Sequence, residues 1–228
     1  MLIFQLISGQ LPLTFFIVFI VSLIFSIAIH EFSHAFVATK LGDPTAKLLG
    51  RLTLNPIAHL DLFGTLALLF IGIGWGKPVP FNPNNLKNPK VGSALISAAG
   101  PLSNLLIAII ICLPYLILIY TNPSSKELYS LANIYGYISQ IVLLNAALAI
   151  FNLIPVHPLD GFKVLGGLLP QSWYYDWHKM ERYGMYILLL LIIPIQGGSV
   201  ISKVVFPIAT NITNLLLPDL YILLNSSI

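Results

Sequence analysis

No residue from Met1 to Ile29 is charged, and the first charged side chain, Glu31, arrives inside the sequence His30-Glu31-Phe32-Ser33-His34. This juxtaposition constrains the fold more than any other feature. As a helix, the uncharged run is long enough to cross the roughly 30 Å hydrocarbon of a bilayer. It ends in ionisable groups, which are costly at membrane depth and usually functional there. Two histidines four apart on a helix differ by about 40° around the axis and about 6 Å along it. Their ring nitrogens can therefore grip one metal ion from one face. Glu31 is held beside that metal without having to ligate it, as a general base for a water needs to be. Histidines that merely satisfy hydrogen bonds are the plain alternative, and the cost of placing them at the end of an apolar span argues against it.

Composition points the same way. Of 228 residues, 57% are hydrophobic and only 8% charged, with a mean hydropathy of +0.89. Soluble domains carry roughly 25% charged residues, so an all-α polytopic membrane protein embedded in a lipid bilayer is expected. A net charge of +3, scattered along the chain, gives no nucleic-acid-binding face. The single Cys112 lies in an apolar run and excludes both a disulfide framework and a cysteine metal site. The N-terminus lacks the basic start of a cleaved signal peptide. Asn211 and Asn225 begin weak sequon matches.

Helix candidates follow in order. Leu11 to about Lys40 forms the first, ended by Gly42-Asp43-Pro44. Arg51 to Asn55 alternates polar and apolar residues and predicts a short strand within Lys47–Asn55. Leu62–Trp75 is too short to span comfortably, and the proline-rich Gly76–Asn85 stretch reads as extended backbone. Such backbone at membrane depth must line a cavity or be buried in protein. Val91–Tyr120 and Leu131–Ile154 are further spans, separated by a polar loop at Thr121–Ser130. Tyr183–Leu224 is either one span with an interfacial helix or two short spans.

A catalytic zinc needs a third protein ligand and an open position. Glu127 and Glu181 are possible, but Asp160 is better placed. It ends an apolar span in a turn built from Pro155, Pro158 and Gly161. If Asp160 joins the histidines, the first and last of these spans must end on the same side. Lys77–Lys90 is then inside, Thr121–Ser130 is outside and Leu62–Trp75 must re-enter. The lysines at 77, 87 and 90 agree, since inner loops are rich in Lys and Arg.

Together, His30-Glu31-Phe32-Ser33-His34 and Asn152-Leu-Ile-Pro155-Val-His-Pro-Leu-Asp160-Gly161 resemble the motifs of the site-2 protease family of intramembrane zinc metalloproteases. Gly100-Pro101-Leu-Ser-Asn104 and Gly76-Lys77-Pro78-Val79-Pro80 are similar to that family as well. The resemblance implies one zinc per chain held by His30, His34 and Asp160. It also implies Glu31 as the base and Asn152 as a polar contact near the substrate or the zinc-bound water. It implies a transmembrane protein substrate cut in or beside its membrane helix, and a substrate segment added as a strand near Lys47–Asn55 and Gly76–Asn85. A three-helix catalytic core at about 12–165 with C-terminal helices at about 181–224 would form one membrane domain over 1–228. Neither a PDZ-like insertion nor a nucleotide-binding tail is seen. The expected location is the cell membrane, multi-pass, with the site toward the cytoplasm. The rivals are a metalloprotease with a soluble-type domain, a membrane transporter or channel with a structural metal, and an inactive scaffold. His59 beside Asp61 reads mainly as a His–Asp cap, and His157 as a turn histidine. Asn104 is equally a helix–helix contact or a site residue.

Overall fold

A computed structural model describes residues 2–71, 74–121, 125–193 and 198–217. Its helices are α1 (Leu2–Ile7), α2 (Leu13–Lys40), α3 (Thr45–Leu48), α4 (Leu62–Ile71) and α5 (Pro89–Tyr120), followed by α6 (Ser125–Asn152), α7 (Asp160–Leu168), α8 (Gln171–Lys179), α9 (Glu181–Ile192) and α10 (Val200–Leu216). Three stretches are long and apolar enough to cross a membrane: Leu13–Lys40, Pro89–Ile119 and Ile134–Asn152. The chain is an all-α polytopic membrane protein. The break at Pro194–Gly197, the Asn225 sequon and the Glu127 side chain lie outside what is described. Asn211 sits within α10, not in the surface loop a sequon requires.

Helix α2 ends in a left-handed turn. Gly42 has φ +104°, its N–H reaches Thr39 O at 3.2 Å, and Asp43 N reaches Ala38 O at 2.9 Å. These bonds satisfy carbonyls that a helix end leaves free. The buried Asp43 carboxylate then accepts from Thr45 Oγ1 at 2.5 Å, Asn82 N at 2.7 Å and Asn85 Nδ2 at 2.7 Å. One side chain thus ties the end of α2 to the proline-rich segment. Helix α5 starts on Pro89, with the Asn88 side chain accepting from Val91 N at 3.1 Å. Pro101 and Pro114 lie inside α5, which continues through both.

Helices α2 and α6 run in one direction and α5 in the other. Near the C-terminal ends of α2 and α6, side chains of both meet the first half of α5. Helix α10 resolves the last apolar region. Its first turns, Ile201 and Val205, pack with Leu159, Ile150 and Phe151 at the end of α6. Its last residues, Leu216 and Leu217, pack with Tyr115, Val142 and Ile138 at the opposite end of the bundle. It therefore runs antiparallel to α6 along most of the bundle, about 26 Å for 17 residues. Helix α9 has only 12 residues, about 18 Å, and its Leu188 and Ile192 sit in the same cluster as the start of α10. Among the described residues, a 17-residue helix antiparallel to α6 and a shorter one before it are what form.

The segment after α3 departs from expectation. Among the described residues no strand forms at Lys47–Asn55. Lys47 and Leu48 end α3, Gly50 turns with φ +69°, and Asn55 caps a 3-10 turn at Pro56–Ala58. Alternation alone does not make a strand without an edge to pair with. Here Arg51 turns inward to Lys77 O, and the Thr53 carbonyl accepts from His59 Nε2 at 2.8 Å. Leu60 and Gly76 form an isolated antiparallel bridge, and Lys77 N donates to His59 O at 2.8 Å. The chain therefore leaves toward α4 and returns at the same place, so Leu62–Trp75 does not traverse the bundle.

Candidate metal centre

His30 and His34 lie four residues apart on one face of α2, each 7% exposed, with ring centroids 4.7 Å apart. Asp160 comes from 126 residues beyond His34 by sequence number, at the start of α7, where a helix N-terminus favours a carboxylate. Gly161 makes that return possible, because a Cβ there would collide with the Leu153 backbone and reach 2.5 Å from Ile154 O. Asp160 Oδ2 stands 3.1 Å from His30 Nε2 and 3.3 Å from His34 Nε2. Ligands about 2.0–2.1 Å from a tetrahedral zinc are about 3.3 Å from one another. The donor set therefore fits such an ion.

The second nitrogen of each ring supports the same fit. His34 Nδ1 donates to the Ile96 carbonyl at 2.7 Å, and a carbonyl can only accept. His30 Nδ1 meets Asn104 Oδ1 at 2.7 Å, while Asn104 Nδ2 donates to Asn145 Oδ1 at 3.1 Å. Both rings thus place a proton on Nδ1 and turn Nε2 toward Asp160, so that Nε2 is the atom each ring would offer a metal. Gly100 leaves the room. A Cβ at that position would lie 2.5 Å from both Nε2 atoms.

Glu31 and Asn152 line the same cavity of about 130 Å³, with Pro78, Val79, Phe81, Ser97 and Lys163. Glu31 Oε2 accepts from Val79 N at 2.9 Å, and Asn152 Nδ2 donates to Leu148 O at 2.9 Å. All five residues singled out from the sequence, His30, Glu31, His34, Asn152 and Asp160, are brought together. A larger open groove of about 490 Å³ runs along α10 past Lys203 and Thr210 and shares no lining residue with this cavity.

Other expectations are revised. His59 does not pair with Asp61. It is fully buried, lies 3.4 Å from Arg51 Nη2 and bonds Thr53 O, while Asp61 caps α4 through Gly64 N at 2.8 Å. Its role is to hold the 51–59 loop against the returning strand. His157 lies in a turn, 3.5 Å from Glu181 Oε1 and edge-on to Phe162, and is not part of the cavity wall. Glu181 is engaged by His157 and His178. Asn104 is both a site residue and a helix–helix bond. Sequence reasoning singled out Gly100 without giving it a role, and missed the Ile96 carbonyl and Lys163. The Gly100-Pro101 pair was visible, but nothing local marked its close approach to two rings.

Comparison with known proteins supplies a family for the chain. The family model described as Peptidase family M50 matches residues 18–142. YwhC of Bacillus subtilis, named as a candidate zinc metalloprotease, is 38% identical over 192 residues, covering 83% of this chain and 86% of its own. Rip2 of Mycolicibacterium smegmatis, named in the same way, is 28% identical over 183 residues, covering 78% and 67%. Zinc metalloprotease MJ0392 of Methanocaldococcus jannaschii is 28% identical over 163 residues, 71% of this chain and 37% of its own. No solved structure matches. A membrane-embedded bundle whose H-E-x-x-H helix meets a distant aspartate is the arrangement of a metalloprotease family. The chain belongs to peptidase family M50, which bears out its resemblance to the site-2 proteases.

Proposed function

We propose that the chain is an intramembrane zinc metalloendopeptidase that cuts transmembrane protein substrates in or next to their membrane helices. The observation that carries this reading is the convergence of His30, His34 and Asp160 donor atoms within 4.8 Å of one another, with Glu31 on the same cavity wall. The two imidazoles and the carboxylate would hold one zinc ion. Zinc bound there supplies Lewis acidity, which polarises a carbonyl and makes a water acidic. Glu31 accepts the proton of the attacking water and passes it to the leaving amine. The Asn152 side chain, which lines the same cavity, orients the scissile peptide. Asn104 and the Ile96 carbonyl keep both imidazoles in the tautomer that offers Nε2.

A substrate helix hides its carbonyls in internal hydrogen bonds and must unwind to be cut. The extended 77–81 segment, whose Val79 N–H already touches Glu31, is where an unwound strand would lie. The whole chain acts as one membrane unit, with the catalytic core at about 12–165. Lys77, Lys87 and Lys90 on the site's side of the bundle support a cytoplasmic orientation in the cell membrane.

The test is Glu31→Gln against His30→Ala, in purified protein with a helix-destabilised transmembrane peptide. Glu31→Gln should keep its zinc and lose at least ~10²-fold in hydrolysis, the lower end for general acid–base catalysis. His30→Ala should lose zinc and hydrolysis together. Wild-type activity in Glu31→Gln would sink the reading.

A further inference from the structure

Lys163 stands on α7 three residues after Asp160, so both side chains project from one side of the helix. It lines the same cavity as the histidines, Glu31 and Asn152. Among the described residues its ammonium makes no hydrogen bond and no ion pair, with Glu31 and Asp160 included. Its one specific contact is the Phe81 ring, 4.6 Å from Nζ to the centroid. Phe81 ends the extended segment that crosses the cavity. A lysine on an aromatic face is held only weakly compared with one bonded to a carboxylate. The ammonium therefore stands on the cavity wall and can exchange the ring for a better partner.

Charge counting says what that partner is. The zinc reading, on which this inference rests, puts a dication against the two carboxylates Asp160 and Glu31 and two neutral imidazoles. Among the residues that line the cavity those charges cancel and leave the Lys163 ammonium, while the other nearby cation, Arg51, is buried behind Glu31 and held by Lys77 O. A half-buried ammonium on a cavity wall favours an anionic partner, and the anionic side chains of an unmodified peptide passing Phe81 are the Asp and Glu carboxylates. We infer that Lys163 is a specificity subsite that selects substrates carrying an Asp or Glu side chain beside the scissile bond, on the stretch that runs past Phe81. A charge-assisted Lys–carboxylate bond replaces the cation–π contact when such a substrate binds.

Binding can be read without turnover. The protein is zinc-loaded Glu31→Gln in nanodiscs. The probes are dye-labelled leucine–alanine transmembrane peptides with an Asn-Pro helix break and one Glu, Gln or Lys scanned through the positions flanking the break. At one or two positions the Glu peptide should bind about tenfold tighter than its Gln twin, the value of one such bond. Adding Lys163→Gln should level the two, Lys163→Glu should favour the Lys peptide, and Lys163→Arg should retain the Glu preference. Zinc content and thermal melts establish that each variant is folded, and Lys163→Arg serves should Lys163→Gln fail to fold. The same order of affinities in Lys163→Gln, or no Glu preference at any position, overturns the proposal. Wild-type protein given the tightest peptide tests proteolysis separately. No cleavage with the Glu preference intact overturns the protease reading alone, whereas cleavage without the preference overturns only the role of Lys163.

Discussion

Gly100→Ala separates the metal centre from the fold more sharply than any ligand substitution. The added methyl would sit 2.5 Å from His30 Nε2 and from His34 Nε2, and 2.6 Å from His30 Cε1, where ordinary contact begins at 3.4 Å. It is therefore about 0.9 Å too close to both donor atoms at once. Relief requires that α5 recede or that the rings swing aside. Swinging aside breaks the Nδ1 bonds to Asn104 and Ile96, both 2.7 Å. Losing one such supporting partner typically costs 10–100-fold in metal affinity, and here both are strained together. Metal-free protein has an opposite tendency, because Ala is preferred over Gly in a helix by about 1 kcal/mol. Zinc affinity should fall at least ~10-fold, so zinc should stabilise the variant by about 1.4 kcal/mol less than wild type at the same saturating concentration. Competition against a chromophoric chelator measures the affinity, and thermal melts with and without zinc measure the stabilisation. Peptide hydrolysis should fall with zinc occupancy. Wild-type zinc affinity and activity in Gly100→Ala would refute the geometry of Nε2 donors facing α5.

Asn104→Ala should leave the bundle folded and weaken zinc binding 10–100-fold, because His30 loses the acceptor that sets its tautomer; chelator competition reads this directly. Asp43 should contribute an acid-sensitive step to stability. Burial raises its pKa, but the bonds from Thr45, Asn85 and Asn82 outweigh burial and hold it below its ordinary 3.8. With the folded value depressed, the stabilisation is complete well above pH 3.8 and is lost as pH falls below it toward the folded value. Acid titration of thermal stability should therefore lose this limb in Asp43→Asn, and hydrogen exchange at Asn82–Leu86 should rise; an unchanged acid limb would remove Asp43 from the clamp. Cysteine labelling in a Cys112→Ala background should modify Asn84→Cys from the cytoplasmic side and Thr121→Cys from the other. Modification of both from one side would break the antiparallel arrangement of α2 and α5.

The spans and the donor types were legible in the chain itself. Membrane-length apolar runs, the i,i+4 histidine spacing and an aspartate in a proline–glycine turn are local patterns with local physical causes. They suffice to place α2, α5 and α6, because apolar length and helical period are read from neighbouring residues. The parity of the spans even required Leu62–Trp75 to turn back, and the Leu60–Gly76 bridge is that turn. The strand expected at Lys47–Asn55 failed for a non-local reason. Its groups are taken by His59 and Lys77, residues that only the returning chain brings within reach. The pairing of His59 with Arg51, the tautomers set by Asn104 and Ile96, the space left by Gly100 and the place of Lys163 on the cavity wall are likewise decided by tertiary structure. Each depends on which segments the fold brings face to face, and sequence spacing carries that information only within one helix, not between α2, α5, α7 and the loops beside them.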